Sequence, residues 1–158
     1  MIKEKFNELK KSQVFKRKAL SNSLGHLFLV FCITDSSFQL EQIDFSFGKL
    51  DRRGKFNIKC FSLKEGKWHY KESIEEKHFL PLKLGKVKDA KALLPKLKEL
   101  CDKSGKFIFI LMNEDGKEIY SITCLSDFFI HKLKFDAKSL ELLDKKQYSI
   151  SELFIIKK

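Results

Sequence analysis

The sequence predicts an α+β fold, a single antiparallel sheet of about six or seven strands with helices packed against it, in the order α-ββββ-α-βββ-α. Short apolar or alternating segments are separated by turn residues, which is typical of antiparallel neighbours. Two other segments repeat apolar residues at helical spacing. The chain has 158 residues, 43% of them hydrophobic, so we expect one domain over residues 1–158 with its own core.

The first segment, residues 1–21, is predicted to be a basic amphipathic helix or arm. Ile2, Phe6 and Leu9 fall at spacings of four and three, which places them on one helical face. Two interpretations follow from this pattern. Either the helix lies across the sheet, or it is an arm that binds a membrane surface or a partner.

Two strands are predicted at the centre of the sheet. The runs Leu27–Ile33 and Phe107–Met112 are apolar on both faces, which predicts strands covered on both sides. Between them, the alternation of residues 38–47 changes parity near Glu41, which predicts a β-bulge. Residues 113–116 read Asn-Glu-Asp-Gly and are the strongest hairpin signal in the chain.

Two further helices are expected, one in the middle of the chain and one near its end. The middle helix should span residues 88–103, with Ser104 and Gly105 as its stop signal. Pro95 implies a kink, or a first regular turn that starts just before it. The predicted buried stripe of this helix consists of Val87, Ala90, Leu94, Leu97 and Cys101, and Leu93 and Leu100 widen it.

The C-terminal region is predicted to contain a strand and then a helix. Residues 128–135 form the strand, and Asp136 is the expected N-cap of a helix that carries Leu140 and Leu143. The apolar segment Ile150–Ile156 fits either type of element.

The positive charge is unevenly distributed. The net charge is +11, and residues 1–18 and 81–106 each carry a local excess of five positive charges. Only three of the 32 basic residues are Arg, which disfavours base-specific reading of nucleic acids and leaves non-specific phosphate attraction open. The basic segments form one binding face if they converge, and a solvated surface otherwise. The candidate macromolecule-binding residues are Lys10, Lys11, Lys16, Arg17, Lys18, Lys91, Lys98 and Lys103.

Aromatic residues raise two further hypotheses. Trp68 and Tyr70 share one face of a predicted strand beside Lys67 and Lys71, so they either stack bases as exposed aromatics or cover the core. The 16 Phe residues fill a packed core, or line a cavity for a small apolar ligand.

Signals for chemistry and targeting are weak. Dinucleotide, P-loop, serine-hydrolase and zinc-protease motifs are not present, so we expect no enzyme, no cofactor and no metal. Four widely spaced cysteines without a C-x-x-C pair predict buried free thiols. The N-terminus does not resemble a secretory signal, and the longest apolar run has about seven residues against roughly 20 for a membrane span. We therefore expect a cytoplasmic protein without a membrane span.

Together these features favour a small, basic, non-enzymatic binding module. The first hypothesis is a protein-interaction or accessory protein, chaperone-like or adaptor-like, with a protein partner or a second copy of itself. The first alternative is non-specific nucleic-acid binding through lysines, and the second is a small apolar ligand in a Phe-lined cavity.

Overall fold

The fold is one antiparallel sheet of eight strands with short helices. The computed structural model describes residues 1–19, 24–101 and 105–151. The strands are β1 His26–Asp35, β2 Leu40–Leu50, β3 Phe56–Lys64, β4 Lys67–Glu75, β5 Lys106–Glu114, β6 Lys117–Leu125, β7 Phe129–Asp136 and β8 Leu142–Ser149. In the described ranges the helices are α1 Ile2–Lys11, α2 Gln13–Ala19 and α3 Leu94–Leu100, and a 3-10 helix, Ala90–Leu93, leads into α3.

The strand order across the sheet is β4-β3-β2-β1-β5-β6-β7-β8. The chain therefore builds two four-stranded meanders, each preceded by helical segments. Their first strands, β1 and β5, pair antiparallel at the centre, with Phe31 opposite Ile110. The predicted α+β class is confirmed, whereas the predicted count of six or seven strands is wrong because the sheet has eight.

The last predicted helix is wrong, and β8 takes its place. The Asp136 carboxylate does accept backbone N–H groups, from Lys138 at 2.8 Å and Ser139 at 3.0 Å, as an N-cap would. Leu140 then takes a φ of 64°, which ends the turn and sends the chain back along β7. Most of the predicted segment Ile150–Ile156 lies outside the described residues.

The predicted N-terminal helix is broken into α1 and α2 at Ser12. Its hydroxyl donates to a carbonyl at the end of α1 and accepts the backbone N–H of Phe15, so one side chain caps both helices. Phe6 packs on Phe45 and Phe15 packs on Phe61, each with ring centroids 5.3 Å apart. Both helices thus lie against the sheet, and the last two residues of the predicted helix are outside the described part of the chain.

The middle helix is shorter than predicted, because Ala90–Leu93 is a 3-10 helix and α3 ends at Leu100. The predicted end at Lys103 and the stop residue Ser104 are outside the described residues. The regular α-helix starts at Leu94, with Pro95 in its first turn, where a missing N–H costs nothing. Ala90, Leu93 and Leu97 are fully buried, as predicted, whereas Leu94 of the predicted stripe is only half-buried.

The predicted bulge and hairpin are confirmed. Thr34 pairs with Leu40 and Ile33 with Gln42, so Glu41 is the extra residue. The β5–β6 hairpin turns at Asp115 and Gly116, with φ of 52° and 93°, the positive values that a two-residue type I′ turn requires. The cysteines, Cys32, Cys60, Cys101 and Cys124, are buried free thiols, as predicted.

Candidate functional site

Alternation of side chains gives the sheet two different faces. On one, here called the core face, residues such as Val30, Phe45 and Phe109 pack against the helices. Every buried helical residue in the described ranges belongs to this core: Ile2, Leu9, Ala90, Leu93 and Leu97. The opposite face, here called the open face, receives no buried side chain from the described helices.

The centre of the open face is apolar. Cross-strand pairs of β1 and β5 place Leu29 beside Met112 and Phe31 beside Ile110. Each of these side chains is half-buried, and none belongs to the core. We call the full set of six the apolar strip: Leu29, Phe31, Ile33, Ile108, Ile110 and Met112. The predicted cover on both sides of these strands is therefore wrong for the second face, as far as the described residues go.

Small polar side chains flank the apolar strip. Ser121 and Thr123 of β6 lie opposite residues of β5, and Ser46 of β2 lies opposite Leu29. Asp44 lies opposite Phe31, and its carboxylate accepts a hydrogen bond from the side-chain amide of Gln42 at 3.0 Å. The strip is therefore bordered by short side chains that leave it accessible.

Lysines occupy the outer strands of the open face. The cross-strand pairing places three on β3 and β4 and three on β7 and β8, a set we call the lysine rims: Lys64, Lys67, Lys71, Lys132, Lys134 and Lys146. Two acidic residues lie near Lys134. Its amino group pairs with the Glu114 carboxylate at 3.1 Å, and Asp144 on β8 lies opposite Lys134 in the strand register. The apolar strip thus runs between two mainly positive edges.

An aromatic cluster closes one end of the open face. The ring of Phe79, in the connector after β4, stacks on Phe28 with centroids 4.5 Å apart, and Phe56 packs edge-on against Phe28 at 5.3 Å. A hollow of about 410 Å³ lies between this connector and the β5–β6 hairpin, with Phe28, Leu80 and Met112 in its lining. The strip therefore ends in a depression large enough for a bulky side chain.

The basic residues predicted from sequence lie elsewhere. Lys10, Lys11, Lys16, Arg17, Lys18, Lys91 and Lys98 are all on the helical segments, and Lys103 is outside the described residues. The amino group of Met1 pairs with Asp89 at 2.6 Å, so Lys91 lies near the start of α1. Lys10 and Lys11 are at the other end of α1, roughly 13 Å away at 1.5 Å per residue. The structure therefore puts these cations in one layer without gathering them at one point.

The predicted aromatic pair lies on the core face. Trp68 and Tyr70 are half-buried, with ring centroids 6.3 Å from Phe45 and 5.1 Å from Phe61, respectively. Their neighbours Lys67 and Lys71 alternate onto the open face. The rings and the lysines are thus on opposite faces, which does not favour base stacking with nearby phosphate contacts.

A separate surface groove lies at the end of β2, β3 and β4. It has a volume of about 790 Å³, and its lining includes Leu50, Ile74 and Lys59 but no Phe. The Phe residues of the core pack on one another, as Phe38 does edge-on against Phe107 and Phe109 at 5.3 Å. This groove therefore does not match the predicted Phe-lined cavity, and the binding of a small apolar ligand stays a prediction.

Comparison with known proteins gives a fold and no family. No protein-family model matches the sequence. No curated protein matches it either. The fold is similar to a crystal structure described as a putative lipoprotein from Clostridium difficile, with a TM-score of 0.57 and 14% sequence identity over 85% of this chain and 88% of that one. At this identity the similarity concerns the fold alone.

No helix in the described ranges is long and apolar enough to cross a bilayer. Within residues 1–19, 24–101 and 105–151, no three His, Cys, Asp or Glu side chains are grouped so that they could hold a metal ion.

Proposed function

We propose that the protein is a non-enzymatic binding module whose open face binds another protein. The observation that carries the proposal is the apolar strip, six half-buried side chains on two adjacent central strands without a helix over them in the described chain. A contiguous apolar surface rimmed by polar residues is typical of interaction sites. Covering it would release about 25 cal/mol for each Å² of apolar surface removed from water.

The lysine rims favour an acidic partner over a second copy of the chain. In a face-to-face dimer, the positive edges of one copy would approach those of the other, and like charges oppose such a contact. A partner that presents apolar side chains flanked by Asp or Glu would satisfy both the strip and the rims. We therefore propose an acidic protein segment with an apolar centre as the occupant.

Selection from a display library of random peptides against the immobilised full chain tests this proposal. We expect the enriched peptides to combine aromatic or aliphatic residues with Asp and Glu. The double variant Ile108→Thr, Ile110→Thr keeps β-branched side chains and removes much of the apolar surface, so it should weaken binding on the order of tenfold or more.

The matched control is the double variant Lys91→Glu, Lys98→Glu on the helical layer, which should bind these peptides as the unaltered chain does. Both proteins should first show unchanged melting temperatures within a few degrees. Enrichment of basic peptides, equal binding to both double variants, or no enrichment would contradict the proposal. A stable dimer that the Ile108→Thr, Ile110→Thr variant dissociates would show a second copy to be the occupant.

We propose the cytoplasm as the compartment. Its support is the set of four unbridged thiols, which is typical of proteins kept in a reducing environment. Fractionation of cells that express the full-length gene product, followed by immunoblotting, tests this, and recovery in a membrane or secreted fraction would contradict it.

A further inference from the structure

The hollow at the end of the open face lies where the apolar strip meets one of the lysine rims. Its lining includes Met112, the last residue of the strip on β5, and Lys134 of the rim on β7. Phe28, Phe79 and Leu80 complete its apolar part, and its volume is about 410 Å³. A segment bound along the strip therefore reaches the hollow without leaving the open face.

Hydrogen bonds hold the two walls of the hollow together. The side-chain amide of Asn113, on the β5–β6 hairpin, donates to the Pro81 carbonyl of the connector at 2.9 Å. The connector is tied down twice more, because the N–H of Leu82 donates to the Leu27 carbonyl at 2.8 Å and the His78 imidazole donates to a carbonyl of the β2–β3 turn at 3.0 Å. A hollow whose walls are already ordered loses little conformational entropy when a ligand enters.

The groups around the hollow favour an aromatic ring over an aliphatic side chain. The ring of Phe79 stacks on Phe28 with centroids 4.5 Å apart, and the Lys77 ammonium lies 5.5 Å from the centre of the Phe79 ring. An inserted ring extends this aromatic group and offers the ammonium a second face. The Met112 thioether adds a further contact, since sulfur interacts favourably with aromatic rings. An aliphatic side chain of the same size gains none of these interactions.

Charges at the edge of the hollow disfavour an ionised side chain inside it. Lys77 and Lys134 supply ammonium groups to the lining, and Glu114 and Asp115 supply carboxylates from the hairpin. An Arg or Lys side chain would meet the ammonium groups, and an Asp or Glu side chain would meet the carboxylates. A neutral ring avoids both, and the N–H of a Trp indole is a donor for which the carboxylates are acceptors.

We propose that the hollow is an anchor site for a tryptophan side chain of the bound protein segment, selected by Phe79, Leu80 and Met112. This inference rests on the function proposed above, because it adds one anchor to the acidic segment on the apolar strip. The strip presents similar apolar side chains along its length and does not fix the position of that segment. A single large aromatic side chain in a preformed hollow fixes it, and such anchors carry much of the binding energy of an interface.

Methyl NMR of the full chain, labelled with ¹³C at the methionine and isoleucine methyl groups, tests the proposal. The chain has two methionines, Met112 in the hollow and Met1 before α1, so Met1 is an internal control. The probe is a synthetic peptide that alternates Leu with Asp and carries one terminal Trp, made with the Trp at either end to cover both strand directions. The matched probe has Leu in place of Trp.

We expect the Trp probe to move the Met112 methyl signal upfield, because a methyl group over the face of an aromatic ring is shielded, and to leave Met1 unchanged. The Leu probe should bind on the order of tenfold more weakly and give no upfield shift. Equal affinities of the two probes, or strip isoleucine shifts without an upfield shift of Met112, would overturn the anchor and leave the proposed function standing. The absence of shifts on the strip isoleucines with both probes would contradict the proposed function as well.

A pair of leucine variants locates the anchor. Leu80 and Leu50 are 49% and 50% exposed, and only Leu80 lines the hollow, so Leu80→Ala and Leu50→Ala should both leave the melting temperature nearly unchanged. Leu80→Ala should weaken the Trp probe severalfold and leave the Leu probe nearly unaffected, whereas Leu50→Ala should change neither. Equal weakening of both probes by Leu80→Ala, or no weakening of the Trp probe, would show that the Trp side chain does not enter the hollow.

Discussion

Replacement of Leu97 by Ala tests how α3 is held on the sheet. Leu97 is fully buried and is the only buried residue of α3 itself. Leu97→Ala removes three carbon atoms, which at about 0.8 kcal/mol for each buried methylene is worth roughly 2.4 kcal/mol. The cavity left in the core adds to this, so we expect a loss of about 2 to 5 kcal/mol in the free energy of unfolding.

The matched control is Lys98→Glu, one residue further along the same helix. Lys98 is exposed, so the change should cost at most about 1 kcal/mol, mainly through its position in the last helical turn. Urea unfolding followed by circular dichroism gives both values, and the melting temperature of Leu97→Ala should fall by roughly 5 to 15 °C. Equal losses for the two variants would refute the assignment of the buried face of α3.

Three other predictions concern the whole chain. The chain should be monomeric by light scattering at micromolar concentration, and a stable dimer would contradict the argument from the lysine rims. Binding to nucleic acid should be weak, salt-sensitive and indifferent to sequence in fluorescence anisotropy, because Arg is scarce; a strong preference for one sequence would show this to be wrong. Backbone N–H donors lower the pKa of Asp51 and Asp136 below the usual 3.8, so their contribution to stability is present above that pH and is lost as the pH falls through the lowered values. Thermal melts from pH 5 to roughly pH 2 should show this loss, and Asp136→Asn should reduce it.

Local sequence patterns predicted much of the fold, but they did not predict the edge strand β8. Val87, Ala90, Leu97 and Cys101 were placed in the core by spacing alone, because a helix on a sheet buries one stripe. The strand β8 could not be predicted, because all its residues from Leu142 to Gln147 are exposed and an edge strand carries little alternation. Asp136 begins a turn, but its sequence pattern also fits the start of a helix. In both structures an Asp carboxylate accepts backbone N–H groups two and three residues further on.

The sequence predicted the central strands that carry the apolar strip, but not that one face of these strands lacks a helix over it in the described chain. Runs such as Phe107–Met112, apolar on both faces, correctly predicted central strands, but periodicity does not show whether a second layer covers them. Phe31 and Ile110 become a surface feature only through the pairing of β1 with β5, two strands about 80 positions apart along the chain. The lysine rims have the same origin, because β4 and β8 are the two edge strands of the sheet within residues 1–19, 24–101 and 105–151, and only the topology places them there.

Methyl chemical shifts measured by NMR during titration with a selected acidic peptide test the central proposal most directly. Binding at the open face predicts large shifts for the methyl groups of Ile33, Ile108 and Ile110, with small shifts for Leu93 and Leu97, which the helical segments bury on the core face. The same titration with a peptide in which Asp and Glu are replaced by Asn and Gln should give weaker binding, because the lysine rims lose their counter-charges. Shifts confined to the helical layer, or none on the apolar strip at saturation, would contradict the assignment of the open face as the binding surface.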